Sequence, residues 1–99
     1  MELSEKQKKH LRGLAHALKP VSRLGNAAVS QGFLAELDRT LNHHELIKVK
    51  VTCESRDVRD AAIDAIIEKT GATLVTRIGN VAVLYRRSPD GPAIVLPSA

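Results

Sequence analysis

Leu46-Ile47-Lys48-Val49-Lys50-Val51-Thr52-Cys53 alternates without a break, with Ile47, Val49, Val51 and Cys53 pointing one way and Lys48, Lys50 and Thr52 the other. A period of two is that of a β-strand with one covered face. The uncovered face of this strand carries two lysines.

On its N-terminal side, Gln31 to Asn42 reads as a helix. Ser30 can cap it, Phe33, Leu34, Leu37 and Leu41 form its buried face, and Asn42-His43-His44 closes it. Further back, Ser4-Glu5-Lys6-Gln7 has the form of a capping box. Leu11, Leu14, Ala15 and Leu18 follow at i, i+3, i+4 and i+7, a single apolar stripe that Pro20 ends. Val21 to Leu24 is a short strand that stops at Gly25.

On the C-terminal side, a helix from about Arg56 to Lys69 is expected to bury Val58, Ala61, Ala62, Ala65 and Ile66, with Gly71 as its stop. Thr73 to Ile78 and Val81 to Arg86 flank Gly79-Asn80, a loop suited to a tight hairpin. Residues 88–92 are rich in turn formers, and Ala93 to Leu96 is either a short edge strand or a loose tail. The element order is α-β-α-β-α-β-β, an α/β two-layer sandwich with three helices on a mixed four-stranded sheet. Right-handed crossovers make the first three strands candidates for parallel neighbours, followed by an antiparallel hairpin. Residues 1–99 are expected to form a single domain.

Composition narrows function. The 99 residues include one Tyr, one Phe and no Trp, so there are few aromatic platforms on which single-stranded bases could stack. The net charge is +4, which suits an anionic partner. It is unevenly spread, at +4 over residues 1–23 and −2 over residues 53–76. Lys8, Arg12, His16 and Lys19 form one helical stripe, and Asp57, Asp60, Asp64 and Glu68 form another on the third helix. If Ile78 and Val81 pair, Arg77 and Arg86 share a hairpin face. That face is expected to continue into Lys48 and Lys50, leaving an open basic surface opposite the helices.

The single cysteine excludes an internal disulfide and a cysteine zinc cluster. The N-terminus lacks an apolar signal core, and no apolar run reaches membrane-span length. A soluble cytoplasmic protein is expected. His43, His44 and Glu45 are adjacent and seldom could converge on one metal, so packing or anion contact is the simpler role. Cys53 reads as a buried small hydrophobe, and Tyr85 as a core residue beside Val83. No nucleophile and base are paired as an enzyme requires; neither catalysis nor a cofactor is expected.

Between the first strand and the second helix lies Gly25-Asn26-Ala27-Ala28. Small side chains let a sugar–phosphate chain approach, and N–H groups at the following helix start favour an anion. The run Leu11-Arg12-Gly13-Leu14-Ala15-His16, then Leu18-Lys19-Pro20 and Leu24-Gly25, resembles the opening of the CRM (chloroplast RNA splicing and ribosome maturation) domain. His43 to Lys50 and Val83-Leu84-Tyr85-Arg86 match it too, and the similarity is greatest to the stand-alone bacterial YhbY family.

That resemblance implies a fold similar to the C-terminal domain of translation initiation factor three, with an added N-terminal helix. It implies RNA as the partner, specifically large-subunit ribosomal RNA in pre-ribosomal particles, and a backbone-clamping GxxG loop like that of KH domains. Gly25 matches the first glycine of that loop, whereas Ala28 replaces the second. Alanine tolerates positive φ poorly, so the loop either needs no left-handed residue there or grips differently. The residues expected to hold RNA are Lys8, Arg12, Lys19, Arg23, Gly25, Asn26, Ala27, Ala28, Lys48, Lys50, Arg77 and Arg86. The competing expectation is a protein-interaction module docking on a ribosomal protein or translation factor. No membrane or small-molecule substrate is expected, and the oligomeric state is left open.

Overall fold

The structure, a computed structural model, describes residues 2–25, 29–91 and 93–98. Its elements are α1 (Glu5–Ala15), β1 (Pro20–Leu24), α2 (Gln31–His44), β2 (Leu46–Val51), α3 (Arg56–Thr70), β3 (Thr73–Ile78) and β4 (Val81–Tyr85). Three helices and a mixed four-stranded sheet follow one another in the expected order.

The sheet runs β1-β2-β4-β3. β1 is parallel to β2, and β4 is antiparallel to both β2 and β3. The expectation that β3 would sit beside β2 is therefore corrected. Ala82, Val83, Leu84 and Tyr85 are buried on both faces, the run a central strand needs. β3 carries Thr73, Thr76, Arg77 and an exposed Ile78, and lies at the edge. Gly79, at φ 59°, makes the hairpin turn as the first central residue of a type II′ geometry requires.

α2 and α3 cover the face bearing Ile47, Val49, Val51, Ala82 and Leu84. On the other face, Leu3, Leu11 and Ala15 pack on Leu46, Val75, Val83 and Tyr85, joined by Ile94 and Leu96. The surface opposite α2 and α3 is thus partly roofed by α1 rather than open.

α1 begins with the expected box: Gln7 N–H donates to Ser4 Oγ (3.1 Å), and Ser4 N–H donates to Gln7 Oε1 (3.0 Å). It ends before Pro20 is reached, at a turn in which His16 N–H donates to Gly13 O and Leu18 N–H to Ala15 O. Lys19 consequently leaves the helical stripe, and Leu14 and Leu18 are exposed. α3 buries Ala62, Ile63, Ile66 and Thr70, whereas Val58 and Ala61 face solvent. Its inner stripe is rotated from the one periodicity alone indicates. Gly71, at φ 73°, is its left-handed cap.

Residues 93–96 form no strand and are not loose. Glu45, buried at 1% exposure, accepts from the N–H groups of Ala93 and Ile94 at Oε1 (2.8 Å each) and of Ser88 at Oε2 (2.7 Å). Gln7 Nε2 donates to Pro97 O (3.0 Å) and ties the same segment to α1.

Candidate nucleic-acid interface

The parallel pairing of β1 with β2 sets Arg23 directly beside Lys50. With Pro20, Val21 and Ser22 they line a shallow concavity at the β1 edge. Lys48, two residues before Lys50, is on the same face. It lines an adjoining cleft with Arg12 and His16, and its ammonium donates to Leu18 O (3.0 Å), anchoring the α1–β1 connector. Arg12, Lys48, Lys50 and Arg23 therefore form one basic strip along the margin of α1. Among the described residues none of the four is in an ion pair with a carboxylate.

This strip ends at Gly25. Thr52 N–H donates to Leu24 O (2.8 Å), and the Cys53 thiol donates to Gly25 O (3.1 Å). Cys53 is buried as expected, and it also positions the start of the loop. A Cβ on Gly25 would meet nothing within 4 Å among the described residues, and its φ is outside the left-handed region. The fold itself does not demand glycine there. Asn26, Ala27 and Ala28 lie outside the described residues.

Arg77 and Arg86 share one face, but not the face of Lys48 and Lys50, which corrects the sequence expectation. Lys48 pairs with Val83 and Val49 with Ala82, and Ala82 pairs in turn with Arg77. Arg77 therefore belongs to the side that α2 and α3 cover. There its guanidinium hydrogen bonds Asp60 and holds that carboxyl below the usual aspartate range against the opposing effect of burial. Arg86 reaches between the two helices, donating to Asp38 Oδ1 (2.7 Å), Asp38 O (3.0 Å), Thr70 O (2.6 Å) and Asn42 Oδ1 (2.9 Å). It fastens helices to sheet. Lys8 lies one turn before Arg12 and approaches Glu5 at 3.9 Å, while Lys19 is exposed in the connector.

Two roles escaped sequence reasoning. Glu45, with φ 65°, closes α2. Burial alone would raise its pKa, but three backbone N–H donors and nearby Arg87 outweigh that and lower it. A charged residue at a helix end was the only signal. Arg56 and Arg59 line a concavity with Arg77, Gly79 and Asn80, although they stand in a segment of net negative charge. His43 and His44 are exposed and meet edge to face, with ring centroids 4.7 Å apart. Among the described residues no three His, Cys, Asp or Glu side chains are grouped to hold a metal, and no helix is long and apolar enough to cross a membrane.

The sequence profile of the CRS1 / YhbY (CRM) domain matches residues 3–86. A Haemophilus influenzae protein named "RNA-binding protein" is 50% identical over 88 residues, covering 89% of each chain. "Probable RNA-binding protein YqeI" of Bacillus subtilis is 34% identical over 95 residues, covering 96% of this chain and 99% of that one. The solution structure of a hypothetical Staphylococcus aureus protein described as a candidate RNA binder superposes with a TM-score of 0.80 at 35% identity. That match covers 97% of this chain and 100% of the other. The chain belongs to the CRS1/YhbY (CRM) domain family.

Proposed function

We propose that this protein binds RNA through its phosphate backbone, in the cytoplasm, and serves assembly of the large ribosomal subunit. The observation that carries the reading is the convergence of Arg12, Lys48, Lys50 and Arg23 on one strip that ends at Gly25. Lysine and arginine contacts to phosphate supply affinity and orientation without sequence readout. Base stacking has little to work with, since Tyr85 is buried and Phe33 packs against the core. Recognition then rests on the shape of a folded RNA. The names of the relatives support RNA as the partner. Ribosomal RNA and the large subunit follow from the family resemblance and are the finer part of the proposal.

The test is to crosslink the protein in growing cells, sequence the attached RNA and follow the protein through a sedimentation gradient. Enrichment of large-subunit ribosomal RNA, with the protein migrating in precursor particles, is the expected result. Association that survives nuclease digestion and moderate salt would instead point to docking on a ribosomal protein or translation factor.

A further inference from the structure

We infer that Arg56 and Arg59, together with Asn80, form a second phosphodiester-binding pocket that extends the RNA path across the end of the sheet. The inference rests on the RNA-binding reading above, and adds to it a site on the opposite side of the strands.

The pocket is lined by Arg56, Arg59, Arg77, Gly79 and Asn80. Three arginines line one concavity, but they are not equivalent. Arg77 is engaged by Asp60, whereas Arg56 and Arg59 enter no ion pair among the described residues. Arg59 Nε is shielded from solvent and has no hydrogen-bond partner among the described residues. A phosphate oxygen is an acceptor whose geometry suits a guanidinium. The nearby carboxylates do not cancel the pocket. Asp60 is hydrogen-bonded by Arg77, while Arg56 and Arg59 act on it through charge without forming an ion pair, and Asp57 is exposed and absent from the lining. Arg56 opens α3, whose N-terminus further favours an anion.

Position ties this pocket to the loop. Asn80 O accepts from Val51 N–H (2.7 Å), Leu24 O from Thr52 N–H (2.8 Å), and Gly25 O from the Cys53 thiol (3.1 Å). Gly25 after β1, the end of β2, the β3–β4 turn and the start of α3 therefore share one end of the sheet. β1 and β4 are two strand spacings apart, about 10 Å. An RNA backbone held by Arg23 and Lys50 on one face can pass over that end and reach Arg56 and Arg59 on the other.

The test uses a fluorescently labelled 20-nucleotide RNA hairpin, with affinity measured across a salt series. R56Q/R59Q is expected to flatten the dependence of log K on log salt by about one to two units, while R56K/R59K keeps it. An unchanged slope in R56Q/R59Q, alongside a flattened one in R23A/K50A, would overturn the pocket and leave the RNA reading standing. Hairpin binding that neither double variant alters, or no binding at all, would remove both. Should R56Q/R59Q fail to fold, the Nε–Hε resonance of Arg59 in the unmodified protein decides. It shifts on adding the hairpin if the pocket is occupied, and a stationary resonance overturns the inference.

Discussion

Arg23 on β1 and Lys50 on β2 are register partners across a parallel strand pair, side by side on the part of α1's sheet face that the helix does not cover. Two cations are held adjacent by backbone pairing alone, with no carboxylate between them among the described residues. Such an arrangement is tolerable for exposed charges in water, and it becomes favourable once a polyanion bridges them.

R23A/K50A is therefore expected to lower the salt slope of RNA binding by about one to two units, with little change in stability, since Arg23 is exposed, Lys50 is half-buried and neither is in an ion pair among the described residues. Anisotropy titrations between low and moderate salt read the slope, and thermal unfolding reads the stability. A full slope in the double variant would place the RNA elsewhere.

Arg86 is expected to behave in the opposite way. Its guanidinium makes four hydrogen bonds to α2 and α3. R86A leaves the Thr70 and Asp38 carbonyls without this partner and should cost about 1.5–3 kcal/mol. That is a fall in Tm on the order of 6–24 °C for a domain of this size. The RNA salt slope of the folded fraction should not move. A variant as stable as the parent, with a flatter slope, would return Arg86 to the binding surface.

Glu45 governs the C-terminal segment by its charge. Its carboxyl pKa is lowered in the folded protein, so its contribution to stability is complete above the unfolded carboxylate value, about 4.3. It is lost as pH falls through the lower folded value. Ser88, Ala93 and Ile94 amides should then lose protection, relative to their intrinsic exchange rates, in acid. E45Q keeps only one acceptor oxygen, and is expected to cost about 1–3 kcal/mol at neutral pH and to weaken this acid dependence. Amide protection factors and unfolding curves from pH 7 down to 3 check both expectations; undiminished protection of Ala93 and Ile94 in E45Q would refute them.

A substitution at Gly25 is expected to separate folding from binding. Among the described residues the glycine's surroundings admit a Cβ, and its φ is ordinary, so G25A should leave stability unchanged or raise it by about 0.4–1 kcal/mol through the unfolded state. RNA affinity should fall, because the added methyl keeps a sugar–phosphate chain from the backbone. Equal affinity in G25A and the parent would show that no such approach occurs.

Local signals carried most of the secondary structure. The Ser4 box, the Ser30 cap, the Gly71 stop and the Gly79-Asn80 hairpin each depend on a few adjacent residues, and all are found. The strand at Leu46 to Val51 is legible for the same reason, because a period of two is a property of the chain itself. The inner stripe of α3 was less so: Val58 and Ala61 fit the helical spacing as well as Ile63 does, and only contact with the sheet selects among them.

What the linear chain decided by itself is thus the element order, the turn and cap positions, and which side chains share a face within any one strand. Only the tertiary structure decided which strand faces meet, since placing β4 between β2 and β3 carries Arg77 and Arg86 to the side of Val49 and away from Lys48. It also decided that Glu45 is a buried anchor and that Arg56 and Arg59 gather beside Asn80. The physical reason is that register, crossover and burial arise from residues far apart in sequence, whose pairing is fixed by the whole core at once.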